Sequence, residues 1–212
     1  MSDTTMTQKN AAAPAKGAKR IDIRTITGTG MLSAIAYALM FLDFSVPFMP
    51  SFIKMDLSEL PALIGSFAYG PISGVIICLI KNLIHLTISS TGGVGELSNF
   101  LLGASFVLVA GFIYKWKKTR KGALIGSVAG AFTMAVFSVF SNYFLVYPIY
   151  YNFMPQDSIL AAYQVIFSGV NNILECLIVF NAPFTFIKGI FSVIITFLIY
   201  KRLSPILKGT QA

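Results

Sequence analysis

The chain has 212 residues, of which 56% are hydrophobic and 11% charged, whereas a soluble domain carries about 25% charged residues. Mean hydropathy is +0.76, and the deficit of charge runs along nearly the whole length. That excludes an ordinary soluble enzyme and points to an all-α membrane protein. The net charge of +8 does not indicate a nucleic-acid partner, because the basic residues fall in short blocks between apolar stretches, a pattern of membrane topology.

Residues 1–24 are polar and basic and contain Lys19-Arg20. No apolar core precedes residue 26, so this is no cleavable signal peptide, and a disordered cytoplasmic arm is expected. The first span is expected over 26–46, ending in Val46-Pro47-Phe48-Met49-Pro50. After a loop, Ser58 can cap a second, short helix over 59–69, with Pro61 in its first turn. Gly70-Pro71 breaks it, and a third follows over 72–88, stopped by Ser89-Ser90-Thr91-Gly92-Gly93. The fourth spans 95–114 and meets the basic block 115–121, and the fifth runs over 123–146 and ends at Pro148. Residues 147–162 read as an interfacial loop. Residues 163–180 are apolar but interrupted by Asn171, Asn172 and Glu175, and the last span is expected over 183–200, with a cytoplasmic tail at 206–212.

Charge parity chooses between six and seven spans. Lys and Arg favour cytoplasmic loops. Thirteen of the sixteen basic residues fall in three blocks, the arm, 115–121 and the C-terminus. All three lie inside only if 163–180 is not a span. A compact bundle of six transmembrane helices within residues 25–205 is therefore expected, with both termini cytoplasmic and 147–182 outside.

Ionisable groups inside spans mark functional sites. Lys81 shares a helix face with His85, the sole histidine, and its expected partner is Asp43 or Glu96. Lys188 lies about two turns into the last expected helix and shares a face with Thr185. Asn142 and Asn99 add uncharged polar groups at a similar depth, and together these residues suggest a small-molecule pocket with apolar walls. Cys78 and Cys176 have no neighbouring metal-ligand residues and read as small buried hydrophobes. There is no P-loop, no H-E-x-x-H, no G-x-S-x-G and no internal repeat, so the chain carries no energy source, catalytic residue or metal site of its own. Two small-residue stripes remain, Gly30/Ala34/Ala38 and Gly122/Gly126/Gly130. The second suits packing inside the bundle, and the first could face a separate protein.

Several segments carry a family resemblance. They are M-L-S-A-I-A-Y-A-L at 31–39, M-D-L-S-E-L-P-A-L-I-G-S-F-A-Y-G-P-I-S-G at 55–74 and L-I-K-N-L-I-H-L at 79–86. G-E-L-S-N-F-L-L-G-A-S-F at 95–106, S-N-Y-F at 141–144 and P-F-T-F-I-K-G at 183–189 complete the set. In order and spacing they resemble the substrate-binding S components of energy-coupling factor (ECF) vitamin transporters, specifically the riboflavin-binding branch. The resemblance implies a prokaryotic cell-membrane protein with no cofactor of its own, riboflavin being the transported ligand. It implies that Asn142 and Lys188 contact the flavin, with Thr185 standing where the family commonly has Asn. Phe48, Met49 and Phe52 of the first loop would cover the ring, and Asn99 would join the polar lining. It further implies that Ala34 and Ala38, with Gly30, dock on a membrane coupling (T) subunit driven by two ABC ATPases. The competing readings are an S component for another vitamin, distinguished by flavin absorbance, and a self-sufficient secondary transporter, distinguished by uptake without an ATPase.

Overall fold

The computed structural model describes residues 22–208, and the side chains up to residue 199. The expected arm up to residue 21 and residues 209–212 lie outside the described residues. The chain forms helices α1 (Ile23–Met40), α2 (Glu59–Tyr69), α3 (Pro71–His85), α4 (Val94–Trp116) and α5 (Arg120–Ser141), with short helices α6 (Tyr147–Tyr150), α7 (Gln156–Gln164) and α8 (Ile173–Cys176) before α9 (Ala182–Lys208). Two-residue strands β1 (Phe44–Ser45) and β2 (Lys54–Met55) pair antiparallel, Phe44 opposite Met55 and Ser45 opposite Lys54. Four helical segments among the described residues are long and apolar enough to cross a membrane: Pro71–Ile88, Val94–Trp116, Arg120–Tyr150 and Ile173–Ile199.

Helix α2 is the hub. It packs against α1, α3, α4 and α9, and its residues from Glu59 to Phe67 are all buried. Its Ser66 hydroxyl donates to the Val107 carbonyl at 2.8 Å, an approach that Gly111 permits, since a Cβ there would lie 2.2 Å from Ser66 Oγ. Leu63, Ile64, Ile77, Phe106, Val107 and Met134 fill the surrounding core. Outward, Ile72, Ile76, Leu79 and Leu83 leave an apolar stripe on α3 exposed, as expected of a lipid-facing helix.

Boundaries differ from expectation at three places. The first helix stops at Met40, because the chain turns into the β1–β2 hairpin ahead of Pro47, whose ring disfavours helical backbone at Val46. Pro148 and Pro183 do not end helices. Each sits two residues after a π-helical turn, Asn142–Val146 and Leu177–Asn181. There the amide of Tyr147 bonds the Asn142 carbonyl, and that of Ala182 bonds the Leu177 carbonyl. A proline lacks the N–H that would reach the carbonyl four residues back and clashes with it. Those carbonyls, Phe144 and Val179, fall inside the two π turns, where the widened helix makes room.

The last helix accordingly begins ten residues before Pro183. Asn172 caps it, its side chain accepting from Glu175 N at 2.9 Å, while Glu175 reaches back to Asn171 N at 2.7 Å and Asn172 Nδ2 at 2.8 Å. The polar trio that interrupts the apolar run is thus a capping arrangement. Residues 163–180 form neither one span nor one amphipathic helix: α7 ends at Gln164, and residues 165–172 are non-helical. The expected interfacial loop holds α6 and α7 instead.

The two small-residue stripes face opposite ways. Gly30, Ala34 and Ala38 are exposed on α1. Gly122, Gly126 and Gly130 are buried, and a Cβ on Gly126 or Gly130 would come within 2.8 Å of Ala110 O or 2.6 Å of Phe106 O on α4. Backbone cannot step aside as a side-chain tip can, so Gly130→Ala is expected to cost about 1–3 kcal/mol through overpacking. Gly30→Ala, which meets nothing within 4 Å, should cost nothing. Thermal unfolding of both variants in detergent checks this contrast.

Candidate functional site

The N-terminus of α2 lies at the floor of a cavity of about 340 Å³, within the range of roughly 300–1,000 Å³ common for small-molecule sites. Four charged groups meet there. Lys188 Nζ lies 2.9 Å from Asp56 Oδ2 and 3.3 Å from Glu59 Oε2, and also donates to Asn99 Oδ1 at 3.1 Å. Lys81 Nζ lies 3.1 Å from Glu59 Oε1 and donates to the Ser58 hydroxyl, which donates onward to Asp56. Two lysines and two carboxylates thus form one buried network of balanced formal charge, tying the first loop to α2, α3, α4 and α9.

Lys81 therefore pairs with neither Asp43 nor Glu96. Asp43 binds Lys54 across the hairpin at 2.8 Å, and Glu96 binds His85 Nδ1 at 2.7 Å. Glu59 wins because α2 packs directly on α3 and buries both groups, and a charge in so dry a place has to be matched by an opposite charge. Ser58 also departs from expectation. It sits at the head of α2, but its side chain makes no capping bond, its hydroxyl being committed to Asp56 and Lys81. Burial alone would raise the pKa of Asp56. The ammonium groups of Lys188 and Lys81, with the Ser58 and Lys188 hydrogen bonds, outweigh that and hold it well below the usual carboxylate range. Its stabilising contribution is present at neutral pH and is lost only as pH falls through that depressed value.

Lys188 is not two turns into its helix. Fifteen residues separate it from Ile173, about 22 Å along the axis, and its side chain is only 9% exposed, which rules out snorkelling. Asn99, Asn142, Thr185 and Phe52 line the same cavity. Asn142 accepts from Ser98 Oγ at 3.0 Å, which leaves its amide NH2 as a donor. Phe48 and Met49 are not part of the lining: Phe48 is 81% exposed and has a positive φ of 67°.

The opposite wall is aromatic. Phe52 packs against Tyr150 and Tyr163, with ring centroids 5.9 and 6.1 Å apart. Tyr163 donates to Asn181 Oδ1 at 2.7 Å, so Tyr147, 2.7 Å from the Tyr163 oxygen, donates to it. Sequence reasoning missed Asp56, Glu59, Tyr147, Tyr150 and Asn181. The available signal was the M-D-L-S-E-L segment, whose two acids flank a serine at a helix start. Both π turns open onto the cavity and place Asn142 and Asn181 there.

No group of three or more His, Cys, Asp or Glu suited to a metal occurs among the described residues. Cys78 and Cys176 are free and buried. The cavity thus combines a charge-balanced ionic floor with amide, hydroxyl and aromatic side chains in its lining.

The family model for "ECF transporter, substrate-specific component" matches residues 24–200. The chain belongs to the substrate-specific components of ECF transporters. This is a family of transporter subunits rather than of enzymes, and with its apolar helices the chain is a membrane protein. It is 36% identical to the riboflavin transporter RibU of Staphylococcus aureus (strain TCH60), over 84% of this chain and 89% of that one. It is 32% identical to the riboflavin transporter FmnP of Bacillus subtilis (strain 168), over 86% and 93%. A solved structure described as "Structure and mechanism of the S component of a bacterial ECF transporter" superposes with a TM-score of 0.69 at 34% identity, covering 87% of this chain and 98% of that one.

The ionic floor generates a prediction. Removing one partner of a buried pair strands its counter-charge at a cost of about 3–5 kcal/mol, so Lys81→Met should sharply lower thermal stability. Lys81→Met combined with Glu59→Gln leaves Asp56 and Lys188 as a matched pair and should recover most of the loss. Thermal unfolding of the two single variants and the double variant measures the coupling.

Proposed function

We propose that this S component captures riboflavin at the outer face of a bacterial cell membrane and delivers it inward with an energising module. The observation that carries this reading is the single cavity in which Asn142, Thr185 and Asn99 face the aromatic cover of Phe52 and Tyr150 over an ionic floor. The naming of the similar S. aureus and B. subtilis proteins as riboflavin transporters supports it. Isoalloxazine is flat and aromatic, so it suits an aromatic cover, and its pyrimidine edge and ribityl hydroxyls need donors and acceptors of the kind these side chains offer.

Around this site, residues 25–205 form the substrate-binding domain, with six spans and both termini cytoplasmic. Four helices of spanning length support this count, and α1 and α2 complete it by packing on the same bundle. The basic block at 115–121 between α4 and α5 then lies inside. The exposed Gly30, Ala34 and Ala38 stripe docks on the membrane coupling subunit, which two ABC ATPases drive. That arrangement places the energy source in the partners and leaves this chain to bind and to move.

Titration of the detergent-purified protein with riboflavin tests the reading. Flavin fluorescence should be quenched at one-to-one stoichiometry with nanomolar affinity. Asn142→Ala should weaken binding by about tenfold or more, the cost of a buried hydrogen bond that is lost. No quenching with riboflavin would overturn the assignment. In contrast, Ala34→Leu with Ala38→Leu should leave riboflavin affinity intact while abolishing co-purification with the coupling subunit. Retained co-purification would move the docking face elsewhere.

A further inference from the structure

Helices α4 and α5 belong to two of the segments long and apolar enough to cross a membrane, Val94–Trp116 and Arg120–Tyr150. Only residues 117–119 separate them, so this turn lies at the membrane surface, where both spans end. The turn is tight. Lys117 closes α4 by bonding its amide to the Ile113 carbonyl at 3.0 Å, and Thr119 caps α5 by accepting from Gly122 N at 3.0 Å. A Cβ on Gly122 would lie 2.0 Å from the Lys117 carbonyl oxygen, so glycine is what lets α5 start this close to the end of α4.

The turn gathers Lys115, Lys117, Lys118, Arg120 and Lys121, all of them exposed. No Asp or Glu occurs between Glu96 and Asp157, and among the described residues none of the five cations enters a salt bridge. Arg120 and Lys121 stand in the first turn of α5, which holds no acidic residue, and the helix dipole adds positive potential at that end. Below the cations the surface is apolar: Phe112, Leu124, Ile125 and Val128 are exposed on α4 and α5. Trp116, 82% exposed, marks the border between the two zones, the level at which tryptophan is enriched in membrane proteins.

We propose that this turn is a binding surface for anionic phospholipid. The headgroup phosphate lies among the five cations, and the acyl chains lie along the apolar flank beneath Trp116. A soluble phosphate would satisfy the cations and leave that flank unused, whereas a phospholipid engages both. Membrane sidedness needs only that the turn be basic, so preference for one lipid class is a separate property. The attraction of one basic residue to an anionic bilayer surface is equivalent to about a fivefold gain in affinity.

Trp116 is the sole tryptophan of the chain, and its fluorescence therefore reports on this turn alone. The full-length protein is reconstituted into phosphatidylcholine vesicles holding a minor fraction of brominated phosphatidylglycerol or, in parallel, of brominated phosphatidylcholine. Quenching of Trp116 should show a preference of about fivefold or more for the phosphatidylglycerol. The preference should collapse in about 1 M salt, where the Debye length falls to about 3 Å. Lys117→Gln, Lys118→Gln and Lys121→Gln combined should at least halve it, and thermal unfolding in detergent should be unchanged, since these side chains hold no partner in the fold. Equal quenching by the two lipids would overturn the proposal, as would a preference that survives the triple substitution. Inorganic phosphate at matched ionic strength should not displace the lipid. Displacement would assign the turn to a soluble phosphate and overturn the lipid site.

Discussion

Two lysines and two carboxylates buried together at the head of α2 constrain the rest of this structure. None of Asp56, Glu59, Lys81 and Lys188 could remain charged alone at such burial, because each would forfeit its hydration with nothing in return. Their mutual neutralisation brings the first loop, α2, α3 and α9 to one point. Asn99 on α4 joins through Lys188. The network is therefore both a structural lock and the floor of the cavity. Replacement by apolar residues could give equal stability.

The wall of the cavity depends on a second device, the paired π turns. Each precedes a proline by two residues and each brings an asparagine to the lining, Asn142 from one helix and Asn181 from the other. A regular α-helix has its backbone polar groups consumed internally and presents side chains at fixed angles. A π turn breaks that spacing and re-aims the side chains, which is why such turns are frequent at functional sites. The Tyr147–Tyr163–Asn181 chain of hydrogen bonds then holds α7 and the aromatic cover against the two widened helices.

Much of this was legible in the sequence, and the omissions have physical causes. The short helix at 59–69 was readable because Gly70-Pro71 ends it and Ser58-Glu59 begins it. Asn99, Asn142, Thr185 and Lys188 stood out because polar residues are conspicuous in apolar segments. The pairing of Lys81 with Glu59 was not legible. It spans 22 positions, and helix periodicity carries no information on which helices touch. Pro148 read as a stop and Pro183 as a start, because a proline breaks most helices, and the compensating π turns leave no simple residue pattern. Asn171, Asn172 and Glu175 read as interruptions of a span, whereas their spacing is that of a cap. Lys188 consequently looked shallow, although it lies far down a helix that starts ten residues earlier.

The most direct test of the account is the structure of the protein bound to riboflavin. The ring is predicted to lie between Phe52 and the ionic floor, with a polar edge on Asn142, and Lys188 should still contact both Asp56 and Glu59. A flavin bound elsewhere, or one that binds only after Lys188 has left its carboxylates, would contradict a pocket built on a pre-formed, balanced network.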